Sequence, residues 1–265
     1  MSDEGIKRRA LATFLSRNSV SDTQPLPLIH TTRSYNIGSI KDTNELLPVR
    51  CDVFHEDLLY MFVGRPAYKR TDSGSQAEYW ELPCCFLFND LVGADFKRVY
   101  PFDSGAFKGR RYPEYIGLMP MEQFEANSNA APGRIISAFF GSSERYFSGK
   151  AKDKDAFEEE FNLGILETEV RALRRLASDG TPSSFDDRRF TIEIQLEQKI
   201  DFKSHPPNAV VLPSIYLRDP LIKSKIVDEW HAHPITYEVF SLSLSAYDGI
   251  IYSKVKDYLE SRNLI

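Results

Sequence analysis

The predicted strands and helices of this chain follow one another without regular alternation, and this order limits the possible folds more than any other feature. A helix predicted over residues 4–17 comes first. The predicted strands lie at residues 26–32, 58–63, 79–89, 189–196, 209–212 and 235–244. A doubly wound parallel sheet requires a helical crossover between successive strands, which this order does not provide. We therefore predict an α+β fold with a mixed, mostly antiparallel β-sheet flanked by helices.

The other predicted elements are mostly helical. With 265 residues the chain can bury one substantial core, so we expect a single domain over residues 1–265 with a helical insertion at about 116–180. Pro83 is expected to bulge its strand or to place it at a sheet edge. Residues 98–108 are predicted to form an ordered loop. Helices are predicted at 35–46, within 119–140 with a break at 131–133, and at 155–178, 221–230 and 252–263.

Charge and cysteine content exclude several classes of protein. The net charge of −5 argues against a protein that coats nucleic acid, because phosphate neutralisation requires a basic surplus. A few arginines in one cleft would still suffice for an anionic small molecule. Cys51, Cys84 and Cys85 form a poor disulfide framework and are expected to be small buried side chains in a reducing compartment. Without a signal-peptide pattern or a long apolar stretch, we expect a cytoplasmic protein with no membrane partner.

Three segments carry candidate site residues, and the first is LIHTT at residues 28–32. It places His30 at the end of an apolar strand, followed by hydroxyl residues and a predicted short helix. Functional side chains are often found at strand ends. The alternative is a structural histidine whose ring nitrogens are satisfied by hydrogen bonds.

The second segment is LYMFVGRPAY at residues 59–68. Strand alternation places Tyr60 and Phe62 on the same face. Gly64 allows the close approach of another backbone or of a ligand, and Arg65 follows the strand where it could meet a phosphate. A core aromatic strand followed by a solvated arginine would give the same pattern.

The third segment is RRFTIEIQL at residues 188–196, in which apolar and polar residues alternate as far as Glu197. This alternation predicts a half-buried strand with one polar face. If that face lines a cleft, Glu193 is the carboxylate that points into it. A strand with one solvated face is the simpler alternative.

Other motifs give little support for a site. His231 and His233 could share a strand face as metal ligands, but no Cys or acidic cluster with ligand spacing accompanies them, so no metal is expected. The sequence has no Walker A loop, no G-x-G-x-x-G and no G-x-S-x-G turn. The apolar strand around Cys84 and Cys85 argues against a nucleophilic cysteine.

The order of the three segments resembles the ADP-ribosyltransferase superfamily, in particular the bacterial toxin-like and DNA-modifying branches of its diphtheria-toxin type. In that group a strand ending in a histidine is followed by a small helix with a pattern like N-x-x-S-I, to which residues 28–32 and 36–40 (NIGSI) are similar. An aromatic strand with a tyrosine and an arginine is matched by Tyr60 and Arg65, and the late catalytic glutamate by Glu193. The match covers about a third of the chain, and residues 94–182 have no counterpart.

The resemblance implies a protein that binds NAD⁺ as its substrate and transfers ADP-ribose, as a bacterial toxin or an antiphage defence effector. Glu193 would stabilise the cationic ribose that forms when the nicotinamide–ribose bond breaks. His30, with Thr31 beside it, would hold the adenosine side, and Tyr60 would pack on nicotinamide. Arg65 would pair with the pyrophosphate. Tyr68, beyond the turn at residues 64–66, is the alternative to Tyr60.

The acceptor, a protein or a nucleic acid, is left open. Thr191 stands where protein-modifying members often carry an acidic residue or Gln, which weakens the case for an arginine acceptor. Two other functions also stay open. One is a non-catalytic module that binds a nucleotide or a protein. The other is a metal-dependent hydrolase or nuclease that uses acids in predicted loops, where solvated charge is the default: Asp52, Glu56, Asp57, Asp186 and Asp187.

Overall fold

A computed structural model describes residues 9–23, 25–68, 76–89, 91, 94–180 and 190–265. The helices in these ranges are α1 (Ala10–Arg17), α2 (Ile37–Thr43), α3 (Ser104–Lys108), α4 (Glu114–Gly117), α5 (Ala131–Phe139), α6 (Ser143–Phe147), α7 (Lys154–Glu160), α8 (Thr168–Ser178), α9 (Pro220–Ser224) and α10 (Leu244–Ser261). The strands are β1 (Leu28–Arg33), β2 (Glu45–Leu46), β3 (Val49–Cys51), β4 (Glu56–Val63), β5 (Pro83–Phe88), β6 (Arg98–Tyr100), β7 (Glu193–Leu196), β8 (Ile200–Asp201), β9 (Ala209–Pro213) and β10 (His233–Tyr237). Short 3₁₀ helices lie at Ser34–Asn36, Met121–Phe124 and Ser214–Arg218, and a π-helical turn at Lys225–Glu229.

Mostly antiparallel strands flanked by helices confirm the predicted α+β class. The contacts divide the chain into two compact units, residues 1–24 with 95–195 and residues 25–94 with 196–265. The prediction of one domain with a helical insertion at about 116–180 stays a prediction. Among the described helices, none has both the length and the apolar content needed to cross a membrane.

The second unit, residues 25–94 with 196–265, is built on a sheet in the order β10–β9–β5–β1–β4, with β3 beside β4. β1 runs antiparallel to both of its neighbours, so that Leu28 pairs with Val63 on β4 and with Phe88 on β5. β9 and β10 are parallel. Every residue of β5 and of β9 is buried, as expected for strands whose two faces are both covered.

The interior position of β5 contradicts the expectation that Pro83 marks a bulge or an edge. Pro83 is the first residue of β5, where a missing N–H is tolerated. Its carbonyl oxygen accepts a hydrogen bond of 2.6 Å from the Tyr237 hydroxyl. The proline therefore begins an interior strand instead of interrupting one.

The first unit, residues 1–24 with 95–195, has an aromatic core surrounded by α1 and α3–α8. The ring of Phe14 lies 5.0–6.0 Å from the rings of three other phenylalanines, Phe139, Phe157 and Phe161. Strands β6 and β7 pair antiparallel, with Val99 opposite Ile194. The loop predicted at 98–108 is therefore wrong, because this segment forms β6 and α3. The Asp103 side chain begins α3 by accepting a hydrogen bond from the Ala106 N–H at 2.6 Å.

The single long helix predicted at 155–178 is two helices, α7 and α8. Between them, Asn162 has a φ of 44° and Ile165 is 88% exposed, so the apolar stripe is interrupted. Each helix buries its own apolar face, through Phe157 in α7 and Leu173 in α8. Apolar spacing continues across the break, and periodicity alone therefore does not locate it.

The expected break at 131–133 is also wrong, because α5 begins at Ala131. Pro132 lies in the first turn, where its missing N–H would have no partner in the helix anyway. Gly133 lies so close to the backbone at Asp22 that a Cβ atom would be 1.9 Å from the Asp22 carbonyl oxygen. These residues start a helix and pack it against the chain.

Candidate functional site

A cavity of about 420 Å³ lies in the second unit between α2 and strands β1–β4. This volume falls within the range of about 300–1,000 Å³ that is usual for small-molecule sites. One wall is apolar and includes Ile40, Leu46 and Leu58. The polar residues that line it are His30, Thr31, Thr32, Asn36, Ser39, Thr43, Glu45 and Tyr60. Three residues predicted for the adenosine and nicotinamide sides of NAD⁺ thus line one cavity: His30, Thr31 and Tyr60.

His30 is the third residue of β1 and does not lie at the strand end as predicted. Its Nδ1 lies 3.0 Å from the Tyr60 carbonyl oxygen, which can only accept a hydrogen bond. Nδ1 therefore carries the proton, and Nε2 is left as an acceptor. Burial lowers the pKa of His30 below its ordinary value, and this effect outweighs the hydrogen bond to Tyr60. The ring is consequently neutral at neutral pH and can accept a hydrogen bond from a ligand hydroxyl.

Hydrogen bonds fix several of the polar side chains around His30. The Thr31 hydroxyl donates to the Ala67 carbonyl oxygen at 2.5 Å, and Asn36 Nδ2 donates to Thr32 Oγ1 at 2.9 Å. The Tyr60 hydroxyl donates to Cys51 Sγ at 2.8 Å. The Ser39 hydroxyl makes no hydrogen bond to the residues that the structure describes and lies on the exposed side of α2. The cavity therefore combines hydrogen-bonded polar side chains with the exposed hydroxyl of Ser39, which a ligand can reach.

The end of α2 is held in place by Asn44. This residue has a φ of 59° in the left-handed region, and its N–H donates to the Ile40 carbonyl oxygen. Its side-chain Oδ1 accepts a hydrogen bond of 2.7 Å from the indole N–H of Trp230, a buried residue. The helix that carries Ser39 and Ile40 is thus anchored to the core of the second unit.

Arg65 and Tyr68 do not line this cavity. Arg65 follows β4, with its guanidinium carbon 5.8 Å from the centre of the Tyr252 ring. Tyr68 is buried, and its hydroxyl donates to the Cys84 carbonyl oxygen at 2.9 Å. Gly64, with a φ of 64°, packs against Leu26, where a Cβ atom would come within 2.7 Å. The close approach that Gly64 permits is therefore made by a leucine side chain.

Glu193 lies in the first unit, where it is 1% exposed, and Gln195 is completely buried. All four residues of β7 are buried, so the predicted half-buried strand with a polar face is wrong. The polar side chains of β7 meet the start of α3: Ser104 N donates to Glu193 Oε2 at 3.0 Å and Ser104 Oγ to Oε1 at 2.6 Å. Gln195 Nε2 donates to the same Oε1 at 2.7 Å. Glu193 is therefore enclosed in a buried polar cluster.

Two opposing effects act on the Glu193 carboxyl group. Burial and the neighbouring charge of Asp103 raise the pKa of Glu193 to about 8, although the donors on Ser104 and Gln195 lower it. The group is thus largely protonated at neutral pH. Nothing in the sequence connects Ser104 with Glu193, because they are 89 positions apart. The alternation in β7 would have linked Glu193 with Gln195, since residues two apart share a strand face.

Of the five acidic residues considered for metal-dependent chemistry, the structure describes Asp52, Glu56 and Asp57. Asp52 and Asp57 are exposed around the turn between β3 and β4, and Asp186 and Asp187 fall outside the described residues. Within the described ranges, no group of three or more His, Cys, Asp or Glu is placed to hold a metal ion. The cysteines are buried as predicted, and burial raises the pKa of the Cys84 thiol to about 12.

Comparison of the chain with protein-family models, with curated proteins and with solved structures gave no match.

Proposed function

We propose that this protein binds NAD⁺ in the cavity beside His30 and transfers ADP-ribose from it to an acceptor. One observation supports the proposal most: two separate segments that carry the resemblance to ADP-ribosyltransferases contribute to the same cavity. His30 comes from residues 28–32, Asn36 and Ser39 come from the adjoining residues 36–40, and Tyr60 comes from residues 59–68. Neighbouring strands of the sheet bring these segments together, since β1 pairs with β4.

The chemistry of the cavity suits a nucleoside. A neutral His30 offers Nε2 as an acceptor for a ribose hydroxyl, because Nδ1 is already bonded to the Tyr60 carbonyl oxygen. The Ser39 hydroxyl can add a second polar contact. The apolar wall that contains Ile40 and Leu58 can cover a base, and Tyr60 offers an aromatic ring.

In the proposed reaction, the bond between the ribose C1′ and the nicotinamide nitrogen breaks, and nicotinamide leaves as a neutral molecule. The acceptor forms a bond to C1′ and loses a proton. The resemblance assigns the stabilisation of the cationic ribose to Glu193, which does not line the cavity beside His30, and only its ionised form could have this role. Because the pKa of Glu193 is raised to about 8, transfer should become faster as the pH rises through that value.

A second candidate function is binding of the nucleotide without cleavage. The burial of Glu193 favours it, because the side chain is 1% exposed and both of its oxygen atoms already accept hydrogen bonds within the first unit. These hydrogen bonds give Glu193 a role in holding the first unit together, and that role requires no substrate. The two candidates share the cavity beside His30 and differ in the role of Glu193.

The test measures NAD⁺ binding by calorimetry and nicotinamide release for the wild type and three variants. We expect His30→Ala to weaken binding by about tenfold, as for one lost hydrogen bond in a buried site. Glu193→Gln should bind NAD⁺ normally and release no nicotinamide. His205→Ala, a half-buried histidine of the same unit outside the cavity, is the matched control. Binding should also weaken as the pH falls through the pKa of His30, which burial places below the ordinary value of 6.5, because the ring then becomes protonated.

The outcomes separate the two candidates. Binding without nicotinamide release in the wild type would favour the non-catalytic module. If NAD⁺ does not bind, or if His30→Ala and His205→Ala bind it equally well, the cavity is not its site and both candidates are wrong. Growth inhibition on expression, relieved by Glu193→Gln, would support a toxin or defence role.

A further inference from the structure

A second cavity, of about 630 Å³, lies in the first unit between α4, α7 and α8. Its lining includes four basic residues, Lys154, Arg171, Arg174 and Arg175, and two acidic residues, Asp153 and Glu158. Both acids have partners: Asp153 Oδ1 accepts hydrogen bonds from the N–H groups of α7, and Glu158 pairs with Arg171 at 3.2 Å. The basic side chains outnumber the acids two to one, so this cleft favours an anion.

Arg174 differs from most arginine residues because its side chain is buried. It is only 8% exposed, and its Nε atom is buried without a hydrogen-bond partner among the described residues. One of its other nitrogens donates to Ser178 Oγ at 2.7 Å. Burial also lowers the pKa of Arg174 below its ordinary value, although the nearby charges of Asp153 and Glu158 oppose this. A buried guanidinium N–H without an acceptor is costly, and Arg174 also lines the cleft, where its positive charge favours an anion.

Arg175 is held beside the same cleft by an aromatic ring. Its guanidinium carbon lies 4.0 Å from the centre of the Tyr115 ring, and the Tyr115 hydroxyl is fixed by a hydrogen bond of 2.8 Å to Asp179. Stacking on the ring leaves the N–H groups at the edge of the guanidinium plane free to point outward. Arg174 and Arg175 both line the cleft, and guanidinium groups bind the oxygen atoms of a phosphate through paired hydrogen bonds.

The cleft is larger than a phosphate group needs, and part of its lining is apolar. Met119 is half-buried and Ala172 is buried, and both line the cavity. We propose that this cleft binds a phosphate ester, with the phosphate on Arg174 and Arg175 and the organic group against Met119 and Ala172. This site is built entirely from the first unit and does not depend on the proposed NAD⁺ cavity of the second unit.

The test is calorimetric titration of the full chain with inorganic phosphate and with phenyl phosphate, at an ionic strength held constant with sodium chloride. Arg174→Met and Arg175→Met remove one guanidinium group each and keep a side chain of similar length. Lys150→Met is the matched control, because Lys150 is an exposed cation of the same unit outside the cleft. Circular dichroism of each variant checks its folding. If Arg174→Met does not fold, the exposed Arg175 still provides the test.

We expect inorganic phosphate to bind the wild type and Lys150→Met equally, and each arginine variant at least about tenfold more weakly, as for a lost charge-assisted hydrogen bond. His30→Ala should bind phosphate like the wild type, which separates this inference from the NAD⁺ proposal. If phosphate does not bind, or if Lys150→Met weakens it as much as Arg175→Met does, the site is wrong and only general charge attraction is present.

Phenyl phosphate tests the part of the inference that concerns the organic group. It should bind several times more tightly than inorganic phosphate, because its ring can cover the apolar side of the cleft. Equal or weaker binding of phenyl phosphate would contradict the ester and leave a site for the phosphate group alone.

Discussion

At Glu193, burial has a larger effect on the carboxyl group than the three hydrogen bonds that it accepts. Ser104 and Gln195 supply donors that favour the ionised form, yet removal from water and the charge of Asp103 raise the pKa to about 8. The same residue would have to be ionised to stabilise a cationic ribose. The protonation state of Glu193 therefore links the stability of the first unit to the proposed reaction.

This link predicts how stability depends on pH. The folded pKa of Glu193 lies above the ordinary value of 4.5, so the folded protein holds a proton that the unfolded chain releases. The resulting stabilisation is complete below pH 4.5 and is lost as the pH rises to about 8. We expect the free energy of unfolding to fall by up to about 5 kcal/mol over this range from this group alone, because each pKa unit corresponds to about 1.4 kcal/mol. Urea unfolding at a series of pH values measures it.

Glu193→Gln removes the titrating group, and its unfolding free energy should therefore depend less on pH over that range. Glu144→Gln, a change at an exposed carboxylate of the same unit, should keep the wild-type dependence. Identical pH dependence in the wild type and Glu193→Gln would show that Glu193 is ionised in the folded protein, contrary to the raised pKa.

At the scale of single elements, α5 depends on a close contact made by one glycine. Gly133 lies in the first turns of this helix, beside the backbone of Asp22. Glycine is normally unfavourable within a helix by about 1 kcal/mol relative to alanine. Here the absence of a side chain allows two segments of backbone to approach, which no other residue would permit without movement of one of them.

Gly133→Ala should therefore destabilise the protein in spite of the better helix propensity of alanine. Its Cβ would lie 1.9 Å from the Asp22 carbonyl oxygen, a distance that requires the backbone to move. We expect a loss of about 1–3 kcal/mol, the usual range for overpacking, in urea unfolding. Gly117→Ala in α4 is the matched control, because its Cβ would meet the nearest atom at an ordinary 3.6 Å. Equal stability of the two variants would contradict the close contact.

At the scale of the whole molecule, the three cysteines allow the opening of the second unit to be measured. Cys84 and Cys85 are completely buried in β5, and burial raises the pKa of both thiols, that of Cys84 to about 12. The thiolate is the reactive form, so neither burial nor pKa favours reaction in the folded state. Modification of these residues therefore requires that the sheet opens.

We expect iodoacetamide to modify Cys84 and Cys85 at least about a thousandfold more slowly in the native protein than in urea, because native proteins open rarely. Mass spectrometry of digested samples assigns each site. Ser16→Cys, which adds a thiol at an exposed position of α1, should be modified promptly and shows that the reagent is active. Prompt native modification of Cys84 would mean that β5 is accessible, contrary to its position between β1 and β9.

Most of the fold could be predicted from local patterns. The strands near Leu28, Leu58 and Ala209 and the C-terminal helix follow from apolar periodicity, which acts over a few neighbouring residues. Several of the predictions that are wrong concern junctions between elements. The break between α7 and α8, the start of α5 and the helix at Ser104 depend on which partner each residue meets, and local spacing does not contain that information.

For the candidate sites, the sequence by itself determined the residue types and the order of His30, Tyr60 and Glu193 along the chain. It also determined the alternation that places Glu193 and Gln195 on one strand face. The tertiary structure alone decided that His30 and Tyr60 share a cavity, that Ser104 encloses Glu193, and that Arg174 is buried. The physical reason is that burial, desolvation and hydrogen bonding depend on distance in space, and residues 89 positions apart become neighbours only when the chain folds.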